Sequence, residues 1–495
     1  AAGYSLYKED PMTGINLTQG PLLPKMMAFA IPYLLACFLQ TFYGMADLFI
    51  TGLFNGAAPI TAVSIGSQLM HMLTVIIVGL AMGTTVSISR AAGGRDRKEA
   101  SCCIGSSVLL FALFSLVSTV LLLLSSDLIL SWLKTPMEAW EDTRAYLLIC
   151  FAGIPFIVAY NVLASIFRGL GDTRTPMYFI ALAGLINLLL DYIFIGPAAA
   201  ATILSEAVSV LLCLLYLARA DLGLTFPKKS FTFDALRMKT LLAIGLPISC
   251  QDGLIQISFL IITAIVNSRG VEVAAAVGIV EKIISFLFLV PSAMLSTVAA
   301  FAAQNAGAGN DERGRQALLC GIRVCIIFGL FTTLIVHFCA EWVISLFVSH
   351  EPEVVRLGGE YFRTYVIDCI FAGIHFCFSG YFSAYGKSIY SFLHNMISIV
   401  TVRVPGTYLA ILLFPEALSP MGLAAPMGSL LSAINAWGSI IGNSKDPPTG
   451  IVLEGGIHLF SGSSLSLKIP RDLKSTAQKR RCEITIISFS RSICR

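Results

Sequence analysis

The sequence predicts an all-α integral membrane protein, with about twelve transmembrane helices in two pseudo-symmetric six-helix lobes and a truncated last helix. Three observations lead there. Of the 495 residues, 56% are hydrophobic and only 13% are charged, with a mean hydropathy of +0.81, whereas soluble domains carry about 25% charged residues. Around a dozen stretches approach the ~20 apolar residues that a helix needs to span a bilayer. A set of distinctive residues also recurs 215 positions apart, the mark of an internal duplication.

The elements follow in order. Residues 1–24 form a polar segment without the basic and apolar regions of a signal peptide, so the first span is expected to serve for targeting. The stretch before Met12 reads as lying upstream of the natural start. Apolar runs place spans at 25–50, 58–83, 101–126, 145–167, 175–196 and 198–218, an N-lobe of residues 25–218. A cytoplasmic linker, 219–239, contains Pro227, Lys228 and Lys229. Spans at 240–266, 273–301, 316–340, 357–382 and 389–414 follow, with a twelfth near 421–442; the C-lobe is drawn as 240–433 with its last helix incomplete. Residues 434–495 form an atypical tail with nine Lys/Arg against four Asp/Glu and no sustained apolar run, which reads as a frameshift or truncation inside the twelfth helix.

Orientation comes from Lys and Arg, which accumulate in cytoplasmic loops. One set of alternate loops holds fifteen of them, including Arg90, Arg95, Arg97, Lys98, Arg237 and Arg313; the other holds Lys134, Arg144, Arg269, Arg356 and Arg363. The first set and the N-terminus are therefore expected in the cytoplasm. The net charge of +4 is spread over short loops, so nucleic-acid binding is not expected. Most of the thirteen cysteines sit in apolar runs, where Cys acts as a small hydrophobe, and no CxxC pair with ligand spacing occurs. No GxxxxGK[ST] loop is present, so ATP is not the direct energy source. No loop is large enough to form a catalytic domain, and the chain is not read as an enzyme.

The duplication rests on Pro32 and Pro247, Tyr146 and Tyr361, Phe167 and Phe382, and Gly171 and Gly386. The segments ISRAAGGRDRKEA (88–100) and AAQNAGAGNDERGRQA (302–317) match in character at nearly that spacing. Six spans per repeat is an even number, so the halves share one orientation about an axis along the membrane normal, with a central cleft between them.

Charges inside the spans are the candidate site. Asp47 lies within the apolar stretch 31–50, where a carboxylate costs roughly 2.5–3.5 kcal/mol on insertion scales. Asn187 and Asp191 stand four residues apart and so share a helix face. A second polar set comprises Asp252, Glu281, Lys282, Asp368 and Arg403. It reads either as functional or as an ion-pair network that staples helices, the latter preferred for Glu281 and Lys282. Gln40, Tyr43, Gln256, Phe286, Phe38 and Phe288 could line a substrate cleft, since aromatic faces attract organic cations. Glu206 could face the cleft or pair with a neighbour. His71, His337, His375 and His394 read as hydrogen-bonded packing residues.

Several motifs resemble the multidrug and toxic compound extrusion family, in its bacterial branch. They are the opening LTQGPLLPKMMAFAIPYLLACFLQTFYGMADLFITGLF, FRGLGDTRTPMY (167–178), NLLLDYIFIGP (187–197), FAAQNAGAGN (301–310) and FSAYGKS (382–388). The likeness extends from about Leu17 to Ala433; the turn between Gly196 and Thr202 is shorter than in the family. The resemblance implies a cation-coupled secondary antiporter of the bacterial plasma membrane, exporting amphipathic or cationic drugs with H+ or Na+ as the coupling ion and no other cofactor. It also implies a monomer within the lipid bilayer. Carried over residue by residue, the cation-coupling positions are Asp47, Asn187, Asp191 and Thr202, with Na+ held by the first three, and Asp252 and Asp368 in the second lobe. The substrate cleft would take Gln40, Tyr43, Gln256, Phe286 and Arg403. Two alternatives remain open: a lipid-linked oligosaccharide flippase of the related superfamily, and a truncated transporter that carries nothing.

Overall fold

The structure, a computed structural model, describes residues 15–54, 57–194, 198–219, 230–348, 350–415 and 417–442. Among these residues every regular element is helical. The stretch before Met12, most of the linker, part of the turn after Gly196 and the tail beyond residue 442 lie outside them.

Helices α1 (Leu22–Phe54), α2 (Ala57–Gly93) and α3 (Arg97–Leu124) follow one another through loops of a few residues, which permit only antiparallel neighbours. A seven-residue helix, α4 (Ser126–Trp132), precedes α5 (Trp140–Ala152) and α6 (Ile154–Gly169). These last two make one span bent by 46°; Pro155 near the start of α6 cannot continue the hydrogen-bond ladder. The first half closes with α7 (Arg174–Phe194) and α8 (Ala198–Arg219).

The second half repeats the plan with α9 (Ala235–Asn267), the pair α10 (Val271–Leu287) and α11 (Leu289–Gly307), and α12 (Asp311–Ser345). The span of α13 (Pro352–Tyr365) and α14 (Asp368–Ala384) is bent by 40°. Next, α15 (Ser388–Ser398) and α16 (Val404–Leu413) are joined by a π-helical turn, Ile399–Arg403. Among the described residues, nine stretches are long and apolar enough to cross a membrane, and eleven when each bent pair counts as one span. The final helix, α17 (Ser419–Gly442), has 24 residues, about 36 Å at 1.5 Å per residue, and falls below that standard of apolarity. Residues to Ala436 form one compact unit; Trp437–Arg495 form a second, described only where it continues α17.

The duplication is visible in the backbone. Helices α1 and α9 both have 33 residues, and α2 and the stretch Val271–Gly307 both have 37. Asp96 caps α3 by accepting from the Glu99 N–H, and Asn310, 214 residues on, caps α12 through the Arg313 N–H. The residues just before these caps, Arg95 (φ 55°) and Gly309 (φ 71°), both take the left-handed conformation that turns the chain. Gly171 (φ 88°) and Gly386 (φ 70°) repeat the same device after the fourth span of each half.

The halves meet along α1, α2, α9 and α11, and small residues set how closely. A Cβ on Gly83 of α2 would lie 2.1 Å from the Leu241 carbonyl oxygen of α9, and one on Gly245 of α9 would lie 2.1 Å from that of Leu80. Such backbone approach is how membrane helices gain packing energy without a hydrophobic drive. Phe29 of α1 and Phe301 of α11, both fully buried, meet edge to face at 6.1 Å.

Eleven of the twelve expected spans have counterparts among these stretches; the twelfth, expected near 421–442 and incomplete, is the 24-residue helix α17, which is too weakly apolar to count with them. Several helices also run on past the apolar stretch. The second, expected to end at residue 83, continues to Gly93. Hydropathy stops at its serines and Arg90, but Ser89 donates to the Gly169 carbonyl of α6 at 3.1 Å and Thr84 to Ser107 of α3 at 3.0 Å. Thr84, Thr85 and Ser89 thus find partners inside the bundle, and the helix continues.

Candidate functional site

Three helices bring the first cluster together. Asp47 comes from α1, Asn187 and Asp191 from α7 and Thr202 from α8. The spacing of four between Asn187 and Asp191 puts both inside, at 0% and 5% exposure, with Asp47 at 4%. The Thr202 hydroxyl donates to Asp47 Oδ2 at 2.9 Å, and the Asn187 amide donates to Thr202 Oγ1 at 3.4 Å. The Asp47 and Asp191 carboxylates adjoin within hydrogen-bonding reach of each other. Among the described residues, Asp47 Oδ1, Asn187 Oδ1 and both Asp191 oxygens are buried without a donor. Two neighbouring carboxylates in low dielectric cannot both carry charge cheaply. Chemically the cluster is therefore a cage of oxygen acceptors that asks for a proton or a hard cation.

The second cluster is built differently. Asp368, fully buried, is the first residue of α14, beside the break in that span, and among the described residues no close donor reaches its oxygens. Arg403, 6% exposed, is the last residue of the π-helical turn. Its guanidinium donates to the Tyr365 hydroxyl at 2.9 Å and stands 4.8 Å over the Phe259 ring. Glu281 accepts from Thr263 at 3.3 Å, and Lys282 is exposed. Among the described residues no ion pair joins Glu281 to Lys282 or Asp368 to Arg403, so the expected staple is replaced by a phenol and an aromatic face. Arg403 makes these contacts from the last position of the π-helical turn. Tyr365→Phe removes the acceptor of a buried, charge-assisted bond and is expected to lower stability by about 1.5–3 kcal/mol, measured by unfolding in detergent micelles.

Other expected residues are dispersed. Asp252 lies against α2, its Oδ2 3.0 Å from where a Cβ on Gly79 would sit. Gln40 and Gln256 are half-buried, and Phe286 packs on Phe38 across the two halves at 6.0 Å. The Tyr43 side chain lies outside the described residues. His394 is a packing residue, bonded to Ser432 at 2.6 Å and Ser379 at 3.4 Å. His71 and His337 are exposed. His375 differs from the expectation, since its Nδ1 is buried without a partner. Tyr365 is a member of the second cluster that the sequence reading missed; its only signal was a tyrosine three residues before Asp368.

The family model MatE matches residues 32–193 and again 247–409. The chain belongs to the MatE family. Both matched segments begin at the repeated prolines, so the family unit coincides with the duplication. A relative in Bacillus subtilis, the probable multidrug resistance protein YpnP, is 29% identical over 407 residues, 80% of this chain and 90% of that protein. The FAD transporter of Shewanella oneidensis is 26% identical over 446 residues, covering 85% and 95%. In fold, the chain is similar to an outward-facing multidrug resistance MATE family transporter, with a TM-score of 0.80 at 22% identity over 86% of this chain and 97% of that one. Within this MatE chain the acid cage belongs to one half only. At the 215-residue offset of the repeat, the positions that match Asp47, Asn187 and Asp191 are Ile262, Val402 and Gly406.

Proposed function

We propose that this MatE-family protein is a secondary antiporter in which H+ or Na+, held among Asp47, Asn187, Asp191 and Thr202, drives export of amphipathic, often cationic compounds. The observation that carries the reading is the pair of adjoining buried carboxylates, three of whose oxygens, together with Asn187 Oδ1, have no donor among the described residues. An occupied cage is neutral enough to bury; an empty one favours a rearrangement of α1 against α7 that admits water. A bound ion shifts that equilibrium only through its different affinity for the two arrangements, which is the requirement for coupling. Asp252 and Asp368 supply further negative charge in the second lobe, and Phe38, Phe286, Gln40 and Gln256 offer aromatic and amide surfaces to an organic cation. The name of the Bacillus relative supports a drug-like substrate. In this reading the protein works as a monomer in the bacterial plasma membrane with its N-terminus inside. Its lobes are residues 25–218 and 240–433, and it catalyses no covalent reaction.

The test is ethidium export from an efflux-deficient strain under imposed gradients. Export is expected to follow a proton or a sodium gradient and to stop when both are collapsed. Export that persists without either gradient overturns the antiporter reading, and export of FAD in place of ethidium overturns the substrate class.

A further inference from the structure

We propose that the segments leading into α1 and α9 are a matched pair of cross-half clasps that hold one end of the cleft shut and release together when that end opens. The inference rests on the two-lobe alternation proposed above and not on the identity of the ion or the substrate.

The first clasp is the segment Ile15–Gly20. On its own side it is tied by the Ile15 N–H to the Gly171 carbonyl at 3.2 Å and by Lys25 Nζ to the Asn16 carbonyl at 2.5 Å. Its other bonds reach into the second half. The Leu17 N–H donates to Gln304 Oε1 at 3.0 Å, and the Leu17 carbonyl accepts from Asn305 Nδ2 at 3.3 Å. Arg313 of α12 donates to the Leu17 carbonyl at 3.2 Å and to that of Gly20 at 2.8 Å. Leu17 itself is fully buried.

The second clasp mirrors it. The residues before α9 dock on α3 of the first half, where a Cβ on Gly105 would fall 2.1 Å from the Ser230 carbonyl oxygen. Asp234 caps α9 and pairs with Arg237, and Arg237 forks onto Glu99 of α3 at 3.0 and 2.8 Å. Glu99 and Arg313 are 214 residues apart, and each is the third residue of its helix. Each third span therefore grips the start of the other half from one position: Arg313 holds the segment before α1, and Glu99 holds Arg237 in the first turn of α9. One grip is a salt bridge; the other is an arginine on backbone carbonyls.

Both clasps sit where α1 and α9 begin. Asp47 is 25 residues along α1 from Leu22, about 38 Å at 1.5 Å per residue. Ion binding thus reaches the clasps through the open–closed equilibrium of the halves and not through contact.

The experiment places spin labels, on non-natural residues, at the exposed positions Lys98 and Glu312 of the full chain in bilayer discs and reads the distance between them. The wild type is expected to populate mainly the short distance. Glu99→Gln should raise the long-to-short ratio by about two- to fivefold, as for a partly exposed ion pair. Arg313→Gln should raise it by about tenfold, as for charge-assisted bonds, and the double variant by about the product. Arg356→Gln, whose partner Glu353 lies on α13, is the control and should change nothing. Should Glu99→Gln fail to fold, Arg237→Lys keeps the charge, loses the fork and takes its place. An unchanged distribution in the double variant, or a wild type already mostly long, overturns the proposal. A protein that opens in this way without exporting ethidium upholds the clasps and sinks the antiporter reading.

Discussion

Asp47→Asn is expected to remove ion-driven export while leaving the protein at least as stable as the wild type. Asparagine keeps the size of the side chain, and its carbonyl oxygen can still accept from the Thr202 hydroxyl, the bond that measures 2.9 Å to Asp47 Oδ2. What disappears is the charge. The cage loses a charge-assisted ligand for the ion, worth about 1.5–3 kcal/mol, so the initial rate of gradient-driven export should fall at least about tenfold, the equivalent of 1.4 kcal/mol. Stability should move the other way. Two adjoining buried carboxylates oppose each other and both lose hydration, so converting one to an amide relieves the folded state. A purely structural Asp47 predicts the reverse pattern, with export kept and the unfolding midpoint lowered. Rate and midpoint measured on the same preparation separate the two, and a rate above half that of wild type removes Asp47 from coupling. Asp191→Asn should act on the same unit, so the double variant is expected to be no worse than the worse single one.

Much of this site could be read before any fold was known. A carboxylate in an apolar helix is costly, so Asp47 announced itself, and the spacing of four between Asn187 and Asp191 placed them on one face. Both inferences depend on regular helix geometry, which a sequence displays as periodicity. Thr202 needed the family resemblance, because nothing in its own neighbourhood marks a lone hydroxyl on an apolar helix. Arg403 was noticed as a charge, yet its partners Tyr365 and Phe259 depend on the π-helical turn Ile399–Arg403. One extra residue in that turn rotates everything beyond it by about 100°, and no hydropathy pattern records this.

The clasps were illegible for a related reason. Residues 15–20 have no period, and their bonds run through backbone carbonyls that every sequence possesses. The duplication itself conceals the pair, since Glu99 and Arg313 occupy one structural position with opposite charges. Repeat detection relies on like residues. Physics requires only that each third span offer something to hold: Glu99 offers acceptors to Arg237, and Arg313 offers donors to Leu17 and Gly20. The same divergence gave the acid cage to one half; Ile262, Val402 and Gly406 stand at the matching positions of the other. A duplicated scaffold thus need not duplicate its polar residues: the Asp47 cage lies in one half, while the other carries Asp252, Glu281 and Asp368 at positions of its own.

Gly93→Ala should be the most damaging small substitution outside the site, because it strikes the contact that brings the two bodies together. A Cβ on Gly93 would lie 1.8 Å from the Gln304 carbonyl oxygen, and its counterpart on Gly307 would lie 1.9 Å from that of Arg90. Both obstacles are backbone, so no side chain can swing aside, and the ends of α2 and α11 must separate by more than about 1 Å to restore contact distance. Overpacking of this kind typically costs about 1–3 kcal/mol. The cost falls on the arrangement in which these ends touch, and that is the arrangement the clasps also hold. A fivefold to hundredfold shift of roughly this size should leave the helices folded but the end open, so export falls and the labels at positions 98 and 312 move apart. Gly253→Ala is the matched control: its nearest neighbour is 3.9 Å away, and a helical Gly to Ala change there should stabilise by up to about 1 kcal/mol. If Gly93→Ala and Gly253→Ala export equally well, close approach of α2 and α11 is not part of the transport cycle. If Gly93→Ala loses export with the label distance unchanged, the two glycines serve packing within one state and not closure between states.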